Sequence, residues 1–114
     1  IVAADALAAM RSSAVVLNVG RGPTIDERAL YDALKNHRIA GAIIDTWYRY
    51  PSPAQPNVLP SILPFHELSN VVMTPHMSGW TSGTIRRRQK TIADNIKRRA
   101  EGKTCVNVVR PALA

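Results

Sequence analysis

Three residues in this chain pair a reactive side chain with a backbone setting that would present it: Arg21, Asp45 and His76. Arg21 stands between two glycines, in Gly20-Arg21-Gly22-Pro23, directly after an apolar run. Flanking glycines let a backbone bend sharply and approach a ligand closely. A guanidinium offers a planar fork of donors that matches a carboxylate; the plainer alternative is a turn arginine paired with a surface acid. His76 lies in Thr74-Pro75-His76-Met77-Ser78-Gly79, held by a proline before it and released by a glycine after it. Its imidazole exchanges a proton near neutral pH, which suits general acid-base work. Lone histidines are more often structural, but no second histidine or cysteine stands at zinc-ligand spacing, so no metal is expected. Asp45 ends another apolar run, which should put its charge at a rim and out of the core. There it accepts a hydrogen bond from a ligand amide or caps the loop that follows. His37 and His66 read as surface residues.

The elements that must position these groups are legible as patterns. Residues 14 to 19, Ala-Val-Val-Leu-Asn-Val, form a continuous apolar run rich in β-branched residues, the mark of a strand covered on both faces. After the glycine turn, Thr24 and Asp26 are candidate N-caps and Glu27 adds negative charge to a first helical turn. Leu30, Leu34, Ala29 and Ala33 share one face of that helix, which ends near Asn36. Gly41 opens a second strand running to Trp47. Residues 48 to 69 hold prolines 51, 53, 56, 60 and 64, which argues against regular structure. Long loops inside compact domains are uncommon and often functional. A third strand, Val71 to Thr74, stops at Pro75, and a helix is expected from about Thr84 to Glu101. Ile85, Ile92 and Ile96 make its apolar stripe, Gly102 its C-cap, and Val106 with Val108 a short closing strand.

Apolar strands separated by helices imply βα units and a parallel sheet. In such sheets ligands bind beyond the carboxyl ends of the strands. Arg21 follows the first strand, Asp45 ends the second and His76 follows the third. The pattern therefore brings a cation, a carboxylate and a titratable base to one rim.

Composition narrows the setting. The chain has 114 residues, 46% of them hydrophobic and 20% charged, which suits one globular domain. No apolar run nears the roughly 20 residues needed to cross a bilayer, so no membrane partner is expected. One cysteine, Cys105, forms no internal disulfide, and the expected compartment is the reducing cytoplasm. The net charge of +7 gathers near the C-terminus, at Arg86, Arg87, Arg88, Lys90, Lys97, Arg98, Arg99 and Lys103. A phosphate-binding footprint can look like this. So can the solvated face of an amphipathic helix, and the stretch lacks the aromatic residues that would stack bases. Nucleic acid is not the expected partner. The chain opens on Ile1 inside what reads as a helix (Ala3 to Met10), as though cut from something longer.

Four segments taken together resemble one family. These are Asn18-Val19-Gly20-Arg21-Gly22-Pro23, Asp26-Glu27 with Ala29-Leu30, Gly41-Ala42-Ile43-Ile44-Asp45, and Leu68-Ser69-Asn70-Val71-Val72-Met73-Thr74-Pro75-His76. Their order and spacing are similar to D-isomer-specific 2-hydroxyacid dehydrogenases, which include phosphoglycerate, D-lactate, glycerate and formate dehydrogenases. The resemblance runs over essentially the whole chain. It implies an α/β fold, the second half of a Rossmann-type doubly wound parallel sheet with helices on both faces. It further implies that residues 1–114 are the C-terminal portion of an NAD-binding domain, with the glycine-rich phosphate loop and the substrate domain outside the chain. Arg21 would bind the substrate carboxylate and carbonyl, and His76 would be the acid-base. Asp45 would contact the nicotinamide carboxamide, while Val19, Gly20, Arg21 and the turn from His76 through Ser78 to Gly79 would line the nicotinamide. The cofactor would be NAD, with NADP open, the substrate a small 2-hydroxy or 2-oxo acid, and the full-length protein a homodimer.

One position departs from the family pattern. A glutamate usually stands five residues after the aspartate and raises the histidine's basicity; here that position is Tyr50. Formate dehydrogenases have glutamine there, so the change does not by itself abolish hydride transfer. The Tyr50 hydroxyl is expected to orient His76 without negative charge, extending oxidation to lower pH than in glutamate-bearing relatives. Glu67 is the alternative relay. Two other functions stay open at this stage: an NAD-binding regulator without turnover, and a basic nucleic-acid module.

Overall fold

The computed structural model describes residues 1–109 and divides into two compact units, Ile1–Ser78 and the part from Gly79 onward. In the first unit α1 (Ala4–Ala9), β1 (Val15–Asn18), α2 (Glu27–Lys35), β2 (Gly41–Ile44) and β3 (Val71–Met73) follow in chain order. The strands form one parallel sheet in the order β1-β2-β3. Each strand is shorter than its apolar run: β2 stops at Ile44 because Asp45, Thr46 and Trp47 turn away to make other bonds. Asp26, the second of the two cap candidates, caps α2 by accepting from the Ala29 amide at 2.8 Å.

The strands are apolar throughout, as read from the sequence, but the register buries them on alternate residues and not on both faces as expected. Val16 and Ala42 pair on one face, as do Asn18, Ile44 and Met73. On that face Leu7 from α1 and Leu30 and Leu34 from α2 join Val16, Ala42 and Ile44 in the core. Each such buried side chain contributes about 1.5–3 kcal/mol. The opposite face turns outward: Val15, Leu17, Ile43 and Val72 are exposed, Leu17 by 62%. Neither α1 nor α2 covers that side.

The proline-rich segment is irregular, as expected, apart from one 3-10 turn at Phe65–Glu67. It is not loose. Phe65 is 1% exposed and meets Tyr31 and Trp47 edge-on, with ring centroids 5.3 and 5.9 Å apart. Glu27 ties the same segment to α2 by accepting from Ser61 Oγ at 2.6 Å and the Ile62 amide at 3.2 Å.

The second unit is led by α3 (Ser82–Ala100), capped by Thr81, whose hydroxyl accepts from the Thr84 amide at 3.1 Å. Its isoleucine stripe is exposed, Ile92 by 61% and Ile96 by 67%. Gly102 closes it in the left-handed conformation at φ 70°. The closing strand expected at Val106 and Val108 does not form. The backbone groups of Val106 are spent on a side chain, its amide donating to Asn95 Oδ1 at 2.8 Å and its carbonyl accepting from Asn95 Nδ2 at 3.2 Å. Among the described residues no helix is long and apolar enough to cross a membrane.

Candidate active site

Because Asn18, Ile44 and Met73 are aligned partners across the sheet, the segments after them leave from one edge. Strands two apart are separated by about 10 Å. The Arg21 turn and the His76 turn therefore share the carboxyl rim, as the spacing predicts.

The His76 turn is held in an uncommon backbone state. His76 has φ 57°, in the left-handed region, which costs a side-chain-bearing residue on the order of 1–2 kcal/mol. Its ring is exposed, and Nδ1 lies 3.1 Å from Tyr50 Oη. That hydroxyl also accepts from the Trp47 amide at 2.9 Å. One lone pair being taken, the hydroxyl's own proton is free to go to Nδ1, and the rotor can equally turn to accept from an Nδ1–H. Either way Nε2 is left as the outward nitrogen. Tyr50 thus stands at the place expected of it beside the imidazole. Glu67 does not: its carboxylate lies 3.9 Å from His66 Nε2, on the exposed side of the 3-10 turn.

Asp45 departs from its expected place. It is 2% exposed, not at an open rim, and its oxygens are taken by its own chain. Oδ1 accepts from Thr74 Oγ1 at 2.5 Å and the Met77 amide at 2.9 Å, and Oδ2 from the Ser78 amide at 3.0 Å. The Ser78 and Thr74 hydroxyls, joined by the Ser78 and Met77 amides, outweigh burial and hold the carboxyl well below the usual carboxylate range. Its stabilising effect is complete above about pH 4, near the unfolded value for aspartate, and is lost as pH falls through the lower folded value. The apolar run preceding Asp45 suggested an exit to solvent; the chain instead turns back over it with Thr74 to Ser78.

The Arg21 turn is held through its backbone. Asn18 Nδ2 donates to the Arg21 carbonyl at 3.1 Å, Thr24 Oγ1 to the same carbonyl at 2.6 Å, and the Gly20 amide to Asn18 Oδ1 at 3.1 Å. The guanidinium is exposed and bonds its own loop, Nη1 donating to the Gly20 carbonyl at 2.7 Å. Two bonded groups meet at this turn, His76 with Tyr50 and Asp45 with Thr74, Met77 and Ser78, and the Arg21 side chain belongs to neither. Gly22 requires its lack of a side chain, since a Cβ there would strike the Trp47 carbonyl.

Sequence reasoning missed Asn18 and Thr46, both buried, with Thr46 Oγ1 donating to Asn18 Oδ1 at 3.1 Å. A signal existed: an asparagine in the last position of an apolar strand must spend its polar atoms on something. Tyr48 is half-buried and stacks on Phe65. Burial, with the charges of Glu27 and Asp26, pushes its hydroxyl up to about 12. A hollow of about 410 Å³ lies between Trp47, Tyr50, Pro51, Val58, Pro60 and Met73, and neither Arg21 nor His76 lines it.

The unit is a parallel α/β sheet with an arginine turn and an exposed histidine turn at its carboxyl edge, the edge where such sheets bind their ligands. Residues 1–78 match the family model described as D-isomer specific 2-hydroxyacid dehydrogenase, NAD binding domain, and the chain belongs to that family. It is 34% identical over 111 residues to glyoxylate/hydroxypyruvate reductase B of Escherichia fergusonii, covering 97% of this chain and 32% of that protein. Among solved structures it is similar to an NADPH-dependent glyoxylate/hydroxypyruvate reductase from Sinorhizobium meliloti in complex with citrate. That match has 36% identity and a TM-score of 0.73, over 95% of this chain and 32% of that one. A D-lactate dehydrogenase with NAD+ from Lactobacillus jensenii matches at 26% identity and a TM-score of 0.76, over 96% and 34%. The chain spans about a third of the length of these relatives.

Proposed function

We propose that this chain is the C-terminal portion of the NAD-binding domain of a longer oxidoreductase acting at C2 of a small 2-hydroxy or 2-oxo acid. The observation that carries the reading is the His76 imidazole, held in a left-handed turn with Nδ1 on Tyr50 and Nε2 outward, at the sheet edge that also carries Arg21.

The nicotinamide end of NAD or NADP fits the residues present. Val19 is 51% exposed at the end of β1, and a Cβ on Gly20 would meet only Asn18 Oδ1, at 3.7 Å. An apolar, side-chain-poor ledge of this kind suits the face of a planar ring. The pyrophosphate end has no counterpart here, since the chain has no Gly-x-Gly-x-x-Gly turn. Val19, Gly20 and Arg21 on one turn and His76 and Ser78 on the other are the proposed cofactor-lining residues. Asp45 is counted with them through the turn it shapes, and Gly79, in the second unit, on the family resemblance.

When bound, the nicotinamide supplies or accepts the hydride. Arg21 swings from the Gly20 carbonyl to hold the substrate carboxylate and polarise its 2-oxo group, an electrostatic contribution of a few kcal/mol. His76 donates the proton that completes the 2-hydroxyl on reduction and takes it back on oxidation, through Nε2. Because the transferred proton sits on Nε2, Nδ1 keeps its hydrogen in both states, and the Tyr50 hydroxyl accepts from it throughout. We place the full-length protein in the cytoplasm as a homodimer.

The test uses the full-length protein with NADH and NADPH and a panel of glyoxylate, hydroxypyruvate and pyruvate. Oxidation of reduced cofactor with at least one of these acids is the expected result. Cofactor binding without turnover across the panel would instead make the protein a regulator, the reading that the tyrosine at position 50 favours.

A further inference from the structure

Asp45 is a carboxylate 2% exposed with no cation among its bonding partners, so hydrogen bonds must compensate its charge. All of its partners come from one short segment, and they bracket one residue. Thr74 lies two positions before His76, Met77 and Ser78 immediately after it. An aspartate that gripped only one side of the turn would leave φ of His76 free; gripping both sides fixes the conformation between them. A carboxylate offers about four lone-pair sites. The Thr74 hydroxyl, the Met77 amide and the Ser78 amide take three of them.

We propose that Asp45 is a positioning residue, whose carboxylate clamps Thr74 and Met77-Ser78 and so holds the His76 ring against Tyr50 with Nε2 outward. This rests on the reading of His76 as the proton-transfer residue, and it goes beyond the cofactor contact that the family resemblance implies for Asp45. Asparagine at position 45 keeps the size but points an NH2 group at amide and hydroxyl donors, so the clamp opens on one side while the core beneath is unchanged.

The experiment compares Asp45→Asn with wild type in the full-length protein. The expected result is a fall in kcat of about 30-fold, within the range of general acid-base effects, with the Kd for reduced cofactor held within about threefold. In a His76→Gln background the same substitution should lower kcat by less than about threefold, because its effect passes through the imidazole. A loss of cofactor affinity with kcat retained, or losses that multiply in the double variant, would overturn the proposal. Thr74→Val removes one donor from the carboxylate without altering its charge. It should lower kcat by about fivefold at unchanged cofactor Kd; an unchanged kcat would count against the clamp, and this variant serves if Asp45→Asn does not fold. Nitrogen-15 NMR of the histidine rings in the cofactor-free protein reads the same geometry without turnover. Asp45→Asn should displace the His76 Nδ1 resonance as Tyr50→Phe does, and an unmoved resonance refutes the clamp. If the wild type turns over no 2-oxo acid, the functional reading fails while the NMR result still decides the role of Asp45.

Discussion

The turn carrying His76 and the turn carrying Arg21 leave the same edge of one sheet, yet they are secured in different ways. On the His76 side the ring itself is bonded, to Tyr50, and a buried carboxylate bonds the Thr74 hydroxyl before it and the Met77 and Ser78 amides after it. On the Arg21 side the backbone is pinned by Asn18 and Thr24, but the guanidinium is exposed and bonded only to the carbonyl next to it. Under the proposed function the contrast follows from what each group must do. Proton transfer requires donor and acceptor within hydrogen-bond reach, so an acid-base group gains from being placed before substrate arrives. An anchor for a carboxylate needs reach, and its long side chain can give up one weak internal bond for a bidentate ion pair.

Removing each group tests the contrast, beginning with the larger effect. His76→Ala in the full-length protein should lower kcat by about 100-fold or more with little change in cofactor Kd, in the range that general acid-base catalysis supplies. Near-normal turnover would remove the imidazole from the mechanism and leave its strained backbone without a purpose. Arg21→Lys keeps the charge but loses the fork. It should cost about 30-fold in kcat/KM, mostly as a raised KM, the worth of a charge-assisted hydrogen bond. Should that loss fall on kcat alone, the guanidinium is not a mobile anchor but a preplaced group like the imidazole, and the contrast between the turns disappears.

The parallel order of the strands, the Asp26 cap, the Gly102 stop and the convergence of Arg21 and His76 on one edge were all legible as patterns, because hydrophobic period and turn chemistry are local. What stayed hidden depends on tertiary bonds. Asp45 reads as a rim residue from the run before it, and only the return of residues 74–78 across it turns it inward. Asn18 and Thr46 look incidental in an apolar strand and a loop, yet they join the two turns' supports through one hydrogen bond. Val106 and Val108 have strand composition, but Asn95 satisfies the Val106 backbone first. Phe65 sits amid prolines and still seals the core, because packing and not local propensity places it.

The smallest expected effect is the one that bears most directly on Tyr50, the feature that departs from the family pattern. Its hydroxyl accepts the Trp47 amide and meets His76 Nδ1, so it orients the ring without bringing charge. Tyr50→Phe should therefore lower kcat/KM by about 10-fold or less, about the worth of one neutral hydrogen bond, and leave the shape of the pH profile unaltered. Tyr50→Glu adds the missing carboxylate, which favours the imidazolium. Oxidation requires the unprotonated ring, so its acid limb should move to higher pH; reduction requires the protonated ring and should persist to higher pH. Profiles of kcat/KM in both directions check the sign. An acid limb that stays in place would mean that residue 50 does not communicate with the proton in transit, and that the imidazole is oriented from the Asp45 side alone.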